Sequence, residues 1–143
     1  MDCPCCSRPD VGIAPCPAFT SSDSRRFMKE SPLFSKTYDF LCWLLPLTIK
    51  FPRQQRFVLA AALQKEALHF QGLLIEAAHQ PSASERLCLA NAELAKVRSH
   101  LRLSRDLALI SPGQYEHGAR LLVEIGRLLG GWIKKVSGGQ TSA

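Results

Sequence analysis

From residue 33 onward, apolar side chains recur at three- and four-residue intervals, the spacing of a helix face and not of a strand. Phe34, Tyr38, Leu41, Leu45 and Thr48 mark one face of a first helix over residues 33–50. Phe40, Trp43, Leu44, Leu47 and Ile49 cover most of the remainder. Such a helix is hydrophobic nearly all round and is expected to be buried on several sides. Pro46 removes a backbone donor and crowds the preceding turn, so a kink is expected there. Phe51-Pro52 marks the next break. A second helix runs to about His79, with Ala60, Leu63, Ala67, Phe70, Leu74 and Ala77 on one seam. Gln80-Pro81 ends it, and Ser82 with Glu85 forms a capping box for a third helix. That helix carries Leu87, Ala90, Leu94, Val97 and Leu101 on its core seam and ends near Leu107.

The last helix, residues 111–135, shows the strongest pattern. Ser111 and Gln114 form a capping box with Pro112 at the first helical position. Two apolar seams run side by side, one of Tyr115, Ala119, Leu122, Gly126, Leu129 and Ile133, the other of Leu121, Ile125, Leu128 and Trp132. A helix facing one core needs a single stripe. The second seam is therefore expected to meet another subunit, with Gly126 and Gly130 permitting close approach. Short connections force antiparallel neighbours, so the pattern predicts an all-α, up-down-up-down four-helix bundle over residues 32–136. Residues 1–31, rich in Pro, Ser and Cys and without periodicity, are expected to form a disordered tail, and residues 137–143 a flexible one.

Composition narrows the class. The 143 residues carry a net charge of +6, and a pI near 9.2 favours nucleic acid or an anionic membrane as partner. The longest uncharged apolar run, residues 40–49, is far below the roughly 20 residues a membrane span requires. The first residues lack a basic start and an apolar core, and Asp2 and Asp10 interrupt them. A cytoplasmic protein that does not enter the membrane is expected. Disulfides are then not expected. Cys42 and Cys88 fall within helical patterns and are read as buried small hydrophobes. Cys3, Cys5, Cys6 and Cys16 lack the paired C-x2-C spacing of a zinc site.

Candidate chemistry is sparse. Glu66 with His69, and Glu76 with His79, both have the E-x-x-H spacing used in di-iron bundles. Both lie on one helix, ten residues and about 15 Å apart at 1.5 Å per residue, so they cannot share a centre. No phosphate-binding loop and no nucleophile elbow occurs. No catalytic residue, metal or cofactor is predicted. The basic residues form the best signal. Arg98, Arg102 and Arg105 border the seam of the third helix, where arginines can lay their stems on apolar surface. Arg120, Arg127 and Lys134 recur every seven residues and form one line on the fourth. Arg53 and Arg56 open the second helix, against its dipole, which hints at a use other than helix stability.

Two segments carry a resemblance. SPLFSKTYDFLCWLLPLTIKFPRQQRFVLAAAL, residues 31–63, and LRLSRDLALISPGQYEHGARLLVEIGRLLGGWIKK, residues 101–135, resemble the accessory variability protein of bacterial diversity-generating retroelements. That family is one branch of a wider group of four-helix proteins, which includes those encoded within intervening sequences of large-subunit ribosomal RNA genes. The resemblance implies a bundle that assembles into a homopentameric barrel with a positive surface. It further implies binding of RNA or DNA and of the reverse transcriptase, in support of mutagenic copying of a template RNA, without catalysis by the protein itself. Arg98, Arg102, Arg105, Arg120 and Arg127 are the matching cations. The first 27 or so residues depart from the family pattern, which makes Met28 a candidate start, and Gly72 is an awkward residue for mid-helix. A second reading stays open: an interaction bundle of the ribosomal intervening-sequence type, without nucleic-acid function.

Overall fold

Pro32, whose missing N–H would be unsatisfied at a helix start in any case, opens helix α1, Pro32–Ile49. In this computed structural model, which describes residues 31–80 and 83–138, three more helices follow. Helix α2 begins with one turn, Arg53–Gln55, passes through a π-helical turn, Arg56–Ala60, and continues as Ala61–His79. Helix α3 is Ala83–Asp106 and α4 is Pro112–Gly138. There is no strand among the described residues. Each helix packs on its sequence neighbour and α4 closes back on α1. The result is the expected four-helix bundle.

The ends are set by local chemistry. The Ser111 N–H donates to Gln114 Oε1 at 2.9 Å, and the Gln114 N–H to Ser111 Oγ at 3.2 Å. That is the reciprocal box predicted, and it satisfies two orphan donors. Gln80 is extended, as a residue before proline tends to be, and closes α2 by donating to the Glu76 carbonyl at 3.0 Å. The capping box predicted at Ser82 and the cysteine-rich tail lie outside the described residues.

The end of α3 holds a feature with no sequence signal. Ala108 has φ 56°, in the left-handed region. Its N–H donates to Arg105 O and the Leu109 N–H to Ser104 O, both at 2.9 Å. This is a Schellman ending, normally built on glycine because a Cβ is strained there. Ala108→Gly is expected to stabilise the chain by about 1 kcal/mol, the strain a Cβ adds at this position. A rise in the urea midpoint at unchanged slope would show it, and a fall would mean that the loop owes its shape to something else.

The predicted seams of α2 and α3 are buried throughout. The prediction for α1 needs correction. Its core face is Leu33, Thr37, Phe40, Leu44 and Leu47, flanked by Phe34, Leu41 and Thr48, while Tyr38 is 52% exposed. Cys42, expected to be buried, faces outward one turn beyond Tyr38, and Cys88 is exposed as well. The reason is geometric: among the described residues α1 packs mainly against α2 and α4, which leaves its third side open. Pro46 sits on that open side, and α1 continues through it to Ile49. Water can satisfy the carbonyl that the missing N–H leaves free. Helix α2 likewise runs unbroken through Gly72.

Candidate nucleic-acid interface

A helix in a square bundle has two neighbours, and this accounts for the double seam of α4. Tyr115, Leu122 and Gly126 meet α3, where the Arg105 guanidinium lies 4.4 Å above the Tyr115 ring and Leu94 approaches Gly126. Trp132 turns toward α1, its ring tilted against Phe34 at a centroid separation of 6.3 Å. Ile125 is completely buried. Leu121, Leu128 and Trp132 are half-buried against the same core. Of the seam expected to face another subunit, Ile125 is buried within the chain, while Leu121, Leu128 and Trp132 keep part of their surface exposed. Gly130 is open on the side where a Cβ would stand, so it brings no element close within the protomer.

Arg98 is held by α4. Its Nη2 donates to the Leu122 carbonyl at 2.9 Å. A Cβ on Gly126 would fall 2.2 Å from that same nitrogen. Gly126 therefore makes room for a guanidinium and not for a second helix. A hydrogen bond from a charged donor is worth about 1.5–3 kcal/mol, so Arg98 acts first as a strut between α3 and α4.

The other predicted cations divide into held and free. Arg105 Nε and Nη2 lie 2.9 and 2.8 Å from Asp106 Oδ1. That carboxylate raises the guanidinium pKa further. Arg120 is paired with Glu116 one turn back. Arg56 donates to the Phe51 carbonyl at 3.3 Å. Among the described residues, Arg53, Arg102, Arg127 and Lys134 make no ion pair and no side-chain hydrogen bond. Arg102 projects from the outer side of α3 between Arg98 and Arg105, while Arg127 and Lys134 lie on exposed positions of α4. The first thirty residues carry four cations and four acids, so the whole excess of +6 resides in the helical part.

The family model described as bAvd-like matches residues 33–136, almost the whole of this helical region. The chain belongs to the bAvd-like family. These are the accessory variability determinants of diversity-generating retroelements. No curated protein sequence matches the chain. The matched region opens at the second residue of α1 and closes two residues before the end of α4, so the bundle itself is the family unit.

The α2–α3 seam explains the two E-x-x-H motifs of this family member. Three of their four members, Glu66, His69 and Glu76, pair across to α3. The Glu66 carboxylate lies 2.7 Å from His100 Nδ1, Glu93 Oε1 lies 3.4 Å from His69 Nδ1, and Glu76 pairs with Arg86 at 3.3 Å. Glu93 is nearly buried. The ammonium of Lys96, 2.7 Å away, holds the Glu93 carboxyl below the usual carboxylate range against the opposing effect of burial, and His69 adds to this. No group of three His, Cys, Asp or Glu side chains among the described residues is arranged to hold a metal ion. No helix among them is long and apolar enough to cross a membrane.

Sequence reasoning missed three partners: Gly126 as the seat of Arg98, Tyr115 beneath Arg105, and Asp106 as its counter-ion. The i to i+1 pair of Arg105 and Asp106 was visible in the sequence. The other two join residues 28 and ten positions apart through the α3–α4 packing and left no local signal.

Proposed function

We propose that this protein is a non-catalytic accessory factor that binds RNA or DNA, associates with the reverse transcriptase of its retroelement and supports mutagenic copying of the template RNA. The observation that carries this reading is the concentration of the entire positive excess in the family-matched bundle, with Arg102, Arg127 and Lys134 exposed and free to meet phosphates. Homopentamer assembly, implied by the family resemblance, belongs to the same reading and would multiply these cations around one particle. Binding of this kind is mainly electrostatic, so it discriminates weakly between sequences and falls steeply with salt.

The test is a triple charge reversal, Arg102→Glu, Arg127→Glu and Lys134→Glu. It leaves Arg98, which braces the bundle, in place. The salt slope of RNA binding is expected to drop by about three, one for each phosphate contact removed, with thermal stability unchanged. Equal affinity and slope for variant and wild type would take these residues out of the interface. The open apolar side of α1, with Tyr38, Cys42 and Ile49 exposed, favours a second reading as a protein-interaction module. Wild-type protein that captures the reverse transcriptase but binds no nucleic acid at low salt would select it.

A further inference from the structure

Between Asp39 and Glu66 the chain contains no acid and four cations, Lys50, Arg53, Arg56 and Lys65. This interval includes the α1–α2 junction and the π-helical turn of α2. On that turn Phe57 is 76% exposed, the most exposed large apolar side chain among the described residues, and Val58 beside it is 69% exposed. Single π-turns set into α-helices recur at functional sites, because they re-aim side chains that a regular helix would place elsewhere.

The surroundings add to the charge. The Glu66–His100 and Glu76–Arg86 pairs fix α2 and α3 as antiparallel, so the start of α2 and the end of α3 share one end of the bundle. That end also holds Arg102 and the Arg105–Tyr115 stack. Its acids Asp106 and Glu116 are each neutralised by an arginine of the same helix. Lys50 and Arg53 make no side-chain bond within the described residues. Arg53 and Phe57 are four residues apart, one turn along α2.

We infer that this end is a contact for single-stranded nucleic acid, with Phe57 as the platform on which one unpaired base stacks and Lys50 and Arg53 as contacts for the flanking phosphates. This rests on the nucleic-acid reading above and adds the substrate class. An exposed aromatic ring among cations matches the chemistry of a single strand, whose bases each offer a flat apolar face and whose backbone carries a charge at every step. A duplex keeps those faces stacked inside. An apolar protein surface could also cover Phe57 and Val58. The acid-free interval and the self-neutralised acids favour a polyanion, which meets no unpaired acid at this end among the described residues.

The test uses the full-length protein and fluorescence anisotropy, with a labelled 20-nucleotide single strand and a duplex of the same length. Phe57→Ala is expected to weaken single-strand binding by roughly tenfold and to leave duplex binding unchanged. Phe57→Trp keeps single-strand affinity, and a fluorescence component absent from the wild type is quenched as the strand binds. Arg53→Gln weakens binding to both. Unchanged single-strand affinity in Phe57→Ala overturns the inference while the broader reading stands, provided the triple charge reversal still weakens binding. Equal losses on single strand and duplex overturn it too. If wild type binds neither nucleic acid and Phe57→Ala instead loses the reverse transcriptase, the patch is a protein-docking face and both readings fall.

Discussion

Ile125→Ala is expected to destabilise the chain by about 2–5 kcal/mol, the range for truncating a fully buried Ile or Leu. Ile125 has no solvent exposure and lies in the core beside Leu122 and Leu129, so the lost atoms leave a void that the surrounding helices cannot easily close. Against a total stability of about 5–15 kcal/mol, that is a large fraction. For a bundle of this size the melting midpoint should fall by roughly 10 °C or more. The experiment also separates two roles for the residue. A core position lowers the midpoint by the same amount at every protein concentration. A subunit-interface position would instead leave the protomer intact, so the deficit would shrink as the protein is diluted and neither protein assembles. Constant loss on dilution is the expected outcome, and a deficit confined to concentrated samples would return Ile125 to the assembly surface.

Gly118→Ala should also destabilise, although alanine is the better helix former by about 1 kcal/mol. A Cβ at Gly118 would lie 2.6 and 2.7 Å from Cη2 and Cζ3 of Trp43, and 3.0 Å from Leu101 Cδ2. The indole has little freedom to retreat, since it is flanked by Phe40 at 5.9 Å and His117 at 5.5 Å between ring centroids. Forcing a methyl group into a filled site costs about 1–3 kcal/mol. Where the steric cost exceeds the propensity gain the net loss reaches up to about 2 kcal/mol. Gly131→Ala is the control. Its Cβ would meet nothing within 4 Å, so it should gain the propensity benefit of up to about 1 kcal/mol. Urea unfolding of the two variants, read with tryptophan emission, checks the contrast. A Gly118→Ala protein as stable as wild type would mean that Trp43 is not wedged where the structure places it.

These glycines show where sequence reading stopped. The i, i+4 spacing marks Gly126 and Gly130, and nothing in the pattern marks Gly118. Yet Gly118 is the one that a neighbouring ring fills, Gly126 is filled by the Arg98 guanidinium, and Gly130 is open. Spacing says which positions share a face of one helix. It does not say what stands opposite. The arginines repeat the lesson. Arg98, Arg102 and Arg105 look equivalent at i, i+4 and i+7, but packing gives them three fates: a strut to Leu122, a free cation, and a stack on Tyr115. The two seams of α4 were legible as seams. Their partners were not, because a stripe twice the usual width is compatible with two neighbouring helices or with one neighbour and another subunit.

The sequence alone determined the four helices, the capping box at Ser111, the core seams of α2 and α3, the basic character and the family, because each depends on local periodicity, local capping or a pattern spread along the chain. Only the tertiary structure decided that Ile125 lies inside, that Arg98 is engaged, that Tyr38 and Cys42 face outward and that Phe57 stands exposed among cations. Those outcomes depend on which helix lies opposite which. That arrangement follows from long-range packing, where one side chain's environment is set by residues dozens of positions away.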